Sequence, residues 1–176
     1  MKYLIASDIH GSLKYARKLL DIFDKSDFDK LILLGDLYYH GPRNPLPEEY
    51  NPKEVSRLLN DRCDRLLVVK GNCDAEVDQM ISEFPFHDYL EINIFGKICS
   101  FYHGHRKIDL PQKSDIVFNG HTHICQIEQI DGIIYANPGS ISLPKSSNSR
   151  DYLVFESHRL TLRDLESSAV IKSIDF

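Results

Sequence analysis

The sequence predicts a protein of the α/β class, with a parallel sheet in its first half and a β-rich second half. Short, wholly apolar segments alternate with helical patterns in the first half, which is typical of strands buried in a parallel sheet. From Tyr89 onward, turn residues separate the apolar segments, which indicates hairpins. The chain has 176 residues without repeats or linkers, so we expect one domain spanning residues 1–176.

The first half is predicted to hold three buried strands and three helices. The strands are residues 3–6, 31–34 and 66–69. The first helix follows Ser12 as N-cap, because apolar residues recur there at i, i+3, i+4 and i+7. Residues 41–52 carry four prolines and form a predicted loop, which ends where Asn51 and Pro52 begin the second helix. A short third helix is predicted at residues 76–83.

The second half is predicted to consist mainly of strands. They are residues 90–95, 98–102, 115–118, 125–130, 133–136, 151–156, 159–163 and 169–174. Asp131 and Gly132 form a two-residue signal for a tight hairpin turn between two of them.

The composition argues against several kinds of partner and location. Lys and Arg total 21 and Asp and Glu total 26, so with a net charge of −5 we expect neither a long nucleic acid nor a membrane surface as partner. No apolar run approaches the roughly 18 residues of a membrane span. The N-terminus reaches Asp8 too early for a signal peptide, and the four cysteines form no C-x-x-C pair. We therefore expect reduced thiols and a cytoplasmic location.

Metal-binding residue types directly follow five of the predicted strands. They are Asp8 and His10, Asp36, Asn72, His103 and His105, and His121 and His123. Ligands bind at the carboxyl ends of strands in α/β sheets, so the fold would bring these segments to one rim. Residues two apart in an extended chain point the same way. Asp8 and His10 would therefore bind one ion together, and His121 and His123 would bind one ion or two adjacent ions. Oxygen and imidazole ligands together suit manganese, iron or zinc better than calcium.

The ordered motifs D-x-H, G-D, G-N-x-D, an isolated histidine and G-H-x-H resemble the calcineurin-like metallophosphoesterase superfamily. Residues 40–44, 71–80 and 137–140 look like its YfcE-like group of small bacterial phosphodiesterases. The resemblance covers nearly the whole chain. It implies a four-layer αββα sandwich, in which two facing mixed β-sheets are flanked by helices, and a binuclear metal centre.

The resemblance also implies a role for each ligand. Asp8, His10, Asp36 and His123 would hold the first metal, and Asp36, Asn72, His103 and His121 the second. Asp36 would bridge two divalent ions about 3.5–4 Å apart, which activate a water or hydroxide for in-line attack on a phosphodiester. We expect Mn²⁺, with Fe, Zn and Ni as alternatives.

One position departs from the superfamily pattern, in which a histidine often follows the asparagine and protonates the leaving group. Cys73 stands there, as in the YfcE-like group, and a thiol forms weaker hydrogen bonds than an imidazole. We therefore expect a preference for phosphodiesters with good leaving groups and weak phosphomonoesterase activity. The candidate catalytic residues are Cys73, Asp74 and His105, and the general acid is either Cys73 or His105.

His40 and Arg43 are the candidate substrate-binding residues. Both follow Asp36 in the proline-rich loop, and Arg presents forked donors to a phosphate. The alternative is a solvated loop that does not contact substrate. His103 and His105 compete for one ligand position; the resemblance favours His103 and leaves His105 to support it or face the substrate.

Two other functions compete with a phosphodiesterase. A non-catalytic scaffold is one, because the same fold serves as a subunit of the eukaryotic retromer coat, although every expected ligand is present here. A nuclease or nucleotide-directed phosphohydrolase is the other, although 176 residues leave little room for a DNA-binding domain. The expected partner is a small phosphodiester, and the resemblance also implies self-association as a homo-oligomer.

Overall fold

The computed structural model describes residues 1–107, 114–145 and 149–176. Its strands are β1 Lys2–Ala6, β2 Lys30–Leu33, β3 Leu66–Val69, β4 Phe86–His87, β5 Leu90–Ile94, β6 Lys97–Phe101, β7 Ile116–Phe118, β8 Cys125–Ile130, β9 Ile133–Pro138, β10 Asp151–Glu156, β11 Arg159–Asp164 and β12 Val170–Asp175. Its α-helices are α1 Leu13–Lys25, α2 Pro52–Asn60 and α3 Glu76–Ile81, and a 3₁₀ turn covers Cys63–Arg65. Within these ranges, no helix combines the length and apolarity needed to cross a membrane.

The strands form two mixed sheets. One has the order β12-β11-β10-β1-β2-β3-β4, and the other the order β5-β6-β7-β9-β8. Strands β1 to β4 run parallel, with Tyr3 opposite Lys30, while β10 to β12 add antiparallel strands at the free edge of β1. The predicted α/β class with two mixed sheets is confirmed.

Strand pairing in the second half differs from the prediction at one point. The sequence predicts hairpins throughout, but β6, β7 and β9 run parallel to one another, with Phe101 opposite Phe118. Parallel neighbours need long crossover connections instead of tight turns. The polar residues after β6 and β7 therefore belong to such connections and are not hairpin turns. The two-residue strand β4 was not predicted either.

The first strands are buried on both faces, as the sequence predicts. On β1, Leu4 and Ala6 pack in one core with α1 and α2. Tyr3 belongs to a second core, which also contains Phe101 and Phe118 of the other sheet, stacked with their ring centres 4.7 Å apart. The two sheets therefore face each other across this second core.

The helices cover one sheet. α1 and α2 pack on the seven-stranded sheet. In the described ranges, the five-stranded sheet instead presents exposed polar side chains such as Glu91, Asn93 and Glu128. Polar residues at alternate positions of a strand form a face that solvent can cover.

The long loop between β2 and α2 is fixed beside the loop that follows β1. Ser12 lies at the N-cap position of α1, but its hydroxyl donates to the carbonyl of Glu48 at 2.7 Å and does not cap the helix. The N–H of Asn51 donates to the carbonyl of Gly11 at 2.8 Å, and its Oδ1 caps α2 as predicted. The loop that carries Arg43 is thereby held close to the ends of β1 and β2.

Candidate metal centre

The loops after five strands meet at one end of the sandwich. Strands β1, β2 and β3 come from the seven-stranded sheet, and β6 and β7 from the five-stranded sheet. Their loops carry the residues that the sequence singles out, namely Asp8, His10, Asp36, Asn72, His103, His105, His121 and His123. Because both sheets contribute, the side chains surround the site from two directions.

The backbone of these loops is not extended. The φ angle is 58° at Asp8, 49° at His10, 56° at Asp36, 66° at His121 and 60° at His123. These values lie in the left-handed region, which costs a non-glycine residue about 1–3 kcal/mol and is enriched at functional sites. The sequence predicts that Asp8 and His10 point the same way because they are two apart in an extended chain. That reason is wrong, because the backbone is left-handed at both residues.

Asp8, His10 and His123 form the buried half of the site, which we call the inner half. Oδ1 of Asp8 lies 3.5 Å from Nε2 of His10 and 3.2 Å from Nε2 of His123. Burial opposes ionisation of Asp8, but the neighbouring imidazoles of His10 and His123 lower its pKa well below the usual range. The three ligand atoms lie within 4.8 Å of one another, so one ion could contact all three.

Backbone carbonyls fix the protons on the two inner histidines. Nδ1 of His10 lies 2.8 Å from the carbonyl of Tyr39, and Nδ1 of His123 lies 2.7 Å from the carbonyl of Leu143. A carbonyl only accepts, so each Nδ1 donates a proton and each Nε2 turns a lone pair inward. Such outer partners are typical of metal-binding histidines.

This arrangement fits a cation. The Nε2 atoms of His10 and His123 face each other at 3.1 Å, and Oδ1 of Asp8 is buried without a hydrogen-bond partner in the described part of the chain. Burial lowers the pKa of His10, but Asp8 outweighs it and raises that pKa above its ordinary value. The position therefore favours positive charge, which a divalent ion would supply to all three ligand atoms.

Asp36 connects the inner half to the rest of the site. Its Oδ2 lies 3.7 Å from Nε2 of His10 and 3.4 Å from Nε2 of His103, while Oδ1 accepts the N–H of Cys73 at 2.8 Å. Burial opposes ionisation of Asp36, but His103 holds its pKa below the usual range. An ionised oxygen between two imidazoles can be shared by two ions.

Asn72, His103 and His121 form the outer half. Nε2 of His103 lies 3.1 Å from Oδ1 of Asn72, and its Nδ1 donates to the carbonyl of Leu34 at 2.6 Å. The rings of His121 and His105 are centred 5.2 and 5.4 Å from that of His103. Asn72 is exposed and His121 is half-buried, so this half opens to solvent.

Asp74 holds two of the loops together. Its Oδ2 accepts the N–H groups of Asp36 and Gly71 at 2.8 and 2.7 Å, and Oδ1 accepts the N–H of Leu37 at 2.8 Å. Burial and the charge of Asp36 raise its pKa to about 6. Both carboxylate oxygens are occupied by backbone donors, which is the arrangement of a positioning residue; the catalytic role expected for Asp74 stays a prediction.

Cys73 lies beside the metal-binding side chains. Its Sγ is within 4.8 Å of ligand atoms of His10 and Asp36 and accepts from Nδ2 of Asn72 at 3.2 Å. Burial and the carboxylate of Asp36 raise the pKa of the thiol to about 12. At neutral pH, Cys73 is therefore protonated and a weak acid.

Two glycines allow these loops to approach one another closely. A Cβ at Gly71 would overlap the carboxylate of Asp36, and one at Gly120 would overlap the hydroxyl of Ser7. That hydroxyl donates to Oδ2 of Asp8 at 2.5 Å. Any side chain at either glycine would displace one of the two carboxylates of the site or its hydrogen-bond donor.

The site opens into a cleft of about 480 Å³, which Arg43 and Lys145 line together with the metal-binding residues. His40, the other expected substrate-binding residue, is not part of the cleft wall. Its ring packs edge-on between Tyr39 and Tyr50, with ring centres 4.8 and 5.2 Å away. The position of the His40 ring is explained by its packing against these two tyrosines. Of the two expected substrate-binding residues, Arg43 lines the cleft.

Sequence reasoning missed Lys145 and two buried hydroxyls. Ser140 and Ser142 both donate to the carbonyl of Asp8, at 2.7 and 3.0 Å, and so brace its left-handed backbone. The signal was a run of small hydroxyl residues after Gly139. The hydroxyls lie 132 and 134 residues from Asp8, and no local pattern relates such distant positions.

Comparison with known sequences identifies related proteins. Residues 1–159 match the calcineurin-like phosphoesterase superfamily domain. Phosphodiesterase YfcE of Escherichia coli strain K12 is 37% identical over 179 residues, covering 99% of this chain and 97% of YfcE. The probable metallophosphoesterase YsnB of Bacillus subtilis is 29% identical over 93% of this chain and 89% of its own length.

Solved structures share the architecture. The structure of YfcE, a phosphoesterase from E. coli, matches with a TM-score of 0.95 at 37% identity and 99% coverage of both chains. Vps29 of Entamoeba histolytica, solved with zinc, matches with a TM-score of 0.65 at 19% identity and 99% coverage of both chains, a likeness of fold alone. The predicted sandwich of two facing sheets is thus confirmed.

Proposed function

This chain belongs to the calcineurin-like phosphoesterase superfamily, and we propose that it is a metal-dependent phosphodiesterase that hydrolyses a small phosphodiester. One observation carries the proposal: ionised carboxylates and imidazole lone pairs converge beside one cleft. The converging residues are Asp8, His10, Asp36, His103 and His123. The name of the 37% identical relative, a phosphodiesterase, supports the reaction class.

The proposed site holds two divalent ions. Asp8, His10, Asp36 and His123 would hold the first, and Asp36, Asn72, His103 and His121 the second. When bound, such a pair stabilises charge on the phosphate oxygens and lowers the pKa of water, which suits in-line attack on phosphorus. We propose Mn²⁺, with Fe, Zn and Ni as alternatives, because the donor set mixes oxygen and imidazole.

The chain's own groups would orient the substrate. Arg43 and Lys145 bring positive charge to the cleft and would bind phosphate oxygens. The carbonyl partners of His10 and His123 hold both rings in place before substrate arrives. Little reorganisation is then needed during the reaction, which is how a preorganised polar site lowers a barrier.

The leaving group would receive little help from a proton donor. The thiol of Cys73 forms weaker hydrogen bonds than an imidazole would, and His105 lines a neighbouring cleft that shares Asn72 with the main one. His105 has a lowered pKa because of burial and the nearby His103, so it is neutral near pH 7. We therefore propose a preference for diesters with good leaving groups and weak phosphomonoesterase activity.

Replacing Cys73 tests this preference. Cys73→His would place an imidazole next to the leaving group, and a positioned acid contributes about 10²–10⁴-fold to such steps. We expect kcat/KM for phenyl phosphate, whose poorer leaving group needs a proton, to rise about tenfold or more relative to that for bis(p-nitrophenyl) phosphate, whose leaving group does not. Cys73→Ser, which adds no better acid, is the control and should keep the wild-type ratio. Unchanged rates on both substrates in Cys73→His would contradict this account.

Metal content and activity together test the main proposal. The purified protein loaded with Mn²⁺ should contain two equivalents by elemental analysis and hydrolyse bis(p-nitrophenyl) phosphate. Asp8→Ala, Asn72→Ala and His103→Ala should each lose metal and activity, because each removes a proposed ligand. If none of the three variants loses either, the site is wrong. A protein without metal or hydrolysis in Mn²⁺ would favour a scaffold.

The cellular setting is also a proposal. We propose a cytoplasmic enzyme that self-associates, with no membrane or long nucleic acid as partner. The net charge of −5 supports the absence of these two partners, because membrane surfaces and nucleic acids attract proteins with clustered positive charge. Light scattering of the full chain would test self-association.

A further inference from the structure

A second pocket adjoins the cleft at Cys73. Its volume is about 290 Å³, and its walls are mainly aromatic and aliphatic. We call it the tyrosine pocket, and its lining includes Tyr38, Tyr39, Tyr50, Cys73, Val77 and Asp78. Nothing in the proposed metal chemistry uses it.

Among the described residues, the cleft and the tyrosine pocket share one small side chain. Cys73 lines both, and its Sγ lies within 4.8 Å of ligand atoms of His10 and Asp36. On the cleft side Gly41 packs so close that an added Cβ would sit 3.1 Å from Sγ. The cleft and the tyrosine pocket therefore meet at Cys73, beside Asp36.

The two spaces differ in polarity. The cleft carries the cations Arg43 and Lys145, whereas no cation lines the tyrosine pocket in the described part of the chain. The one carboxylate there, Asp78, is buried and accepts the N–H of Ala75 at 2.8 Å. An anionic group would meet this carboxylate without a compensating charge.

A second polar group of the pocket is occupied as well. The hydroxyl of Tyr38 is hydrogen-bonded to that of Ser82 at 2.8 Å. Tyr39 and Val77 nevertheless leave 41% and 59% of their surface exposed, which is apolar area that a ligand could cover. A cavity of about 150 Å³ with apolar walls is enough to bind benzene, so this pocket has room for one aromatic ring.

We propose that the tyrosine pocket binds a neutral aromatic ester group of the substrate, while the phosphate it is attached to lies in the cleft. This inference rests on the proposed function and narrows its substrate class to aryl-type diesters. The ring would pack between Tyr39 and Val77, and the lack of a cation among the described lining residues would select against anionic ester groups.

Two phosphonates that are not hydrolysed test the pocket. The full chain loaded with Mn²⁺ is titrated with methylphosphonate and with phenylphosphonate by calorimetry. Both present the same anion to the cleft, and only phenylphosphonate carries a ring. We expect phenylphosphonate to bind about tenfold to a hundredfold more tightly, the usual effect of burying one phenyl group.

A matched pair of variants on α3 locates the effect. Val77→Asp puts a charge into the pocket wall, and Met80→Asp puts the same charge on the same helix at a residue that is 83% exposed and outside the pocket. Val77→Asp should reduce the advantage of phenylphosphonate to about twofold or less, while Met80→Asp keeps it. The ratio of the two affinities cancels any general effect of the added charge on anion binding.

The outcomes separate this inference from the proposed function. Equal affinity for both phosphonates in the wild type, or an advantage that survives in Val77→Asp, overturns the tyrosine pocket alone. No binding of either phosphonate together with no hydrolysis of bis(p-nitrophenyl) phosphate overturns the proposed function and this inference with it.

Discussion

The two halves of the metal centre are built differently. In the inner half, Asp8 and His10 are 0% exposed and His123 is 3% exposed, and a backbone carbonyl fixes each imidazole. In the outer half, Asn72 is exposed and His121 is half-buried. The ring of His121 makes no hydrogen bond within the described ranges. The inner half is thus closed, whereas the outer half is open on the side of Asn72 and His121 and closed at His103, which is 1% exposed.

The difference indicates a division of labour between the halves. A ligand set held by outer hydrogen bonds loses little freedom on binding an ion, so the inner half should bind its ion more tightly. The outer half, which faces the cleft, would exchange its ion and contact substrate more readily. Asp36 would transmit changes between the halves, because its Oδ2 faces both His10 and His103.

Asp8→Asn should have the largest effect. Asparagine keeps the size of Asp8 and can still accept from Ser7 and the N–H of His121, but it removes the negative charge of the inner half. We expect metal content to fall below one equivalent, and kcat for bis(p-nitrophenyl) phosphate to fall by more than the roughly 10–100-fold typical of losing an outer-shell partner. Elemental analysis and steady-state rates are the measurements.

Asp151→Asn is the control for this experiment. Asp151 is also a buried carboxylate, 2% exposed, but it lies on β10 outside the metal centre. This variant should keep both ions. If Asp8→Asn kept two equivalents of metal, the inner half would not be the tight site.

Asn72→Ala should have a smaller and more selective effect. It removes one neutral oxygen from the open half and leaves Asp8, His10 and His123 untouched. We expect one ion to remain and activity to fall about 10–100-fold, as for other weakened metal sites. Asn72→Asp, which keeps an oxygen at this position, should retain the second ion. Loss of both ions in Asn72→Ala would remove the distinction between the halves.

Stepwise removal of metal should show the same asymmetry in stability. An ion that binds only the folded chain stabilises it by about 2.7 kcal/mol at a concentration one hundred times its Kd. We expect the melting temperature of chelated protein to start rising at one free Mn²⁺ concentration and to rise more steeply with log concentration above a second, higher one, because each ion adds its own stabilisation. Scanning calorimetry at fixed free Mn²⁺ measures this. A single onset would indicate that the halves fill together.

The residues of both halves could be predicted from sequence, because each follows an apolar strand at a point where the chain must leave the sheet. Asp8 after β1 and Asp36 after β2 are examples. The backbone conformation of these residues could not be predicted. Non-glycine residues seldom adopt positive φ, and only contacts with distant residues stabilise that conformation here. The parallel pairing of β6 with β7 could not be predicted either, because the polar residues between the two strands have the composition of hairpin turns.

Removing one of the two serine hydroxyls that donate to the carbonyl of Asp8 should have the smallest measurable effect on stability and metal affinity. Ser142→Ala removes one of two donors to the carbonyl of Asp8, and Ser140 retains the other. A buried hydrogen bond contributes about 1 kcal/mol, which corresponds to roughly 2–4 °C in melting temperature for a chain of this size. Because the lost bond supports the left-handed backbone of Asp8, affinity for the first Mn²⁺ should fall as well.

Ser56→Ala separates this role from ordinary stability. Ser56 is likewise a buried hydroxyl that donates to a backbone carbonyl, that of Lys53 in α2, at 2.9 Å and away from the metal centre. Both variants should lower the melting temperature of metal-free protein by similar amounts. Only Ser142→Ala should weaken the first Mn²⁺, because only its hydroxyl is bonded to Asp8. If Mn²⁺ affinity fell equally in both, loss of general stability would explain it, and the rigidity of the inner half would not depend on this contact.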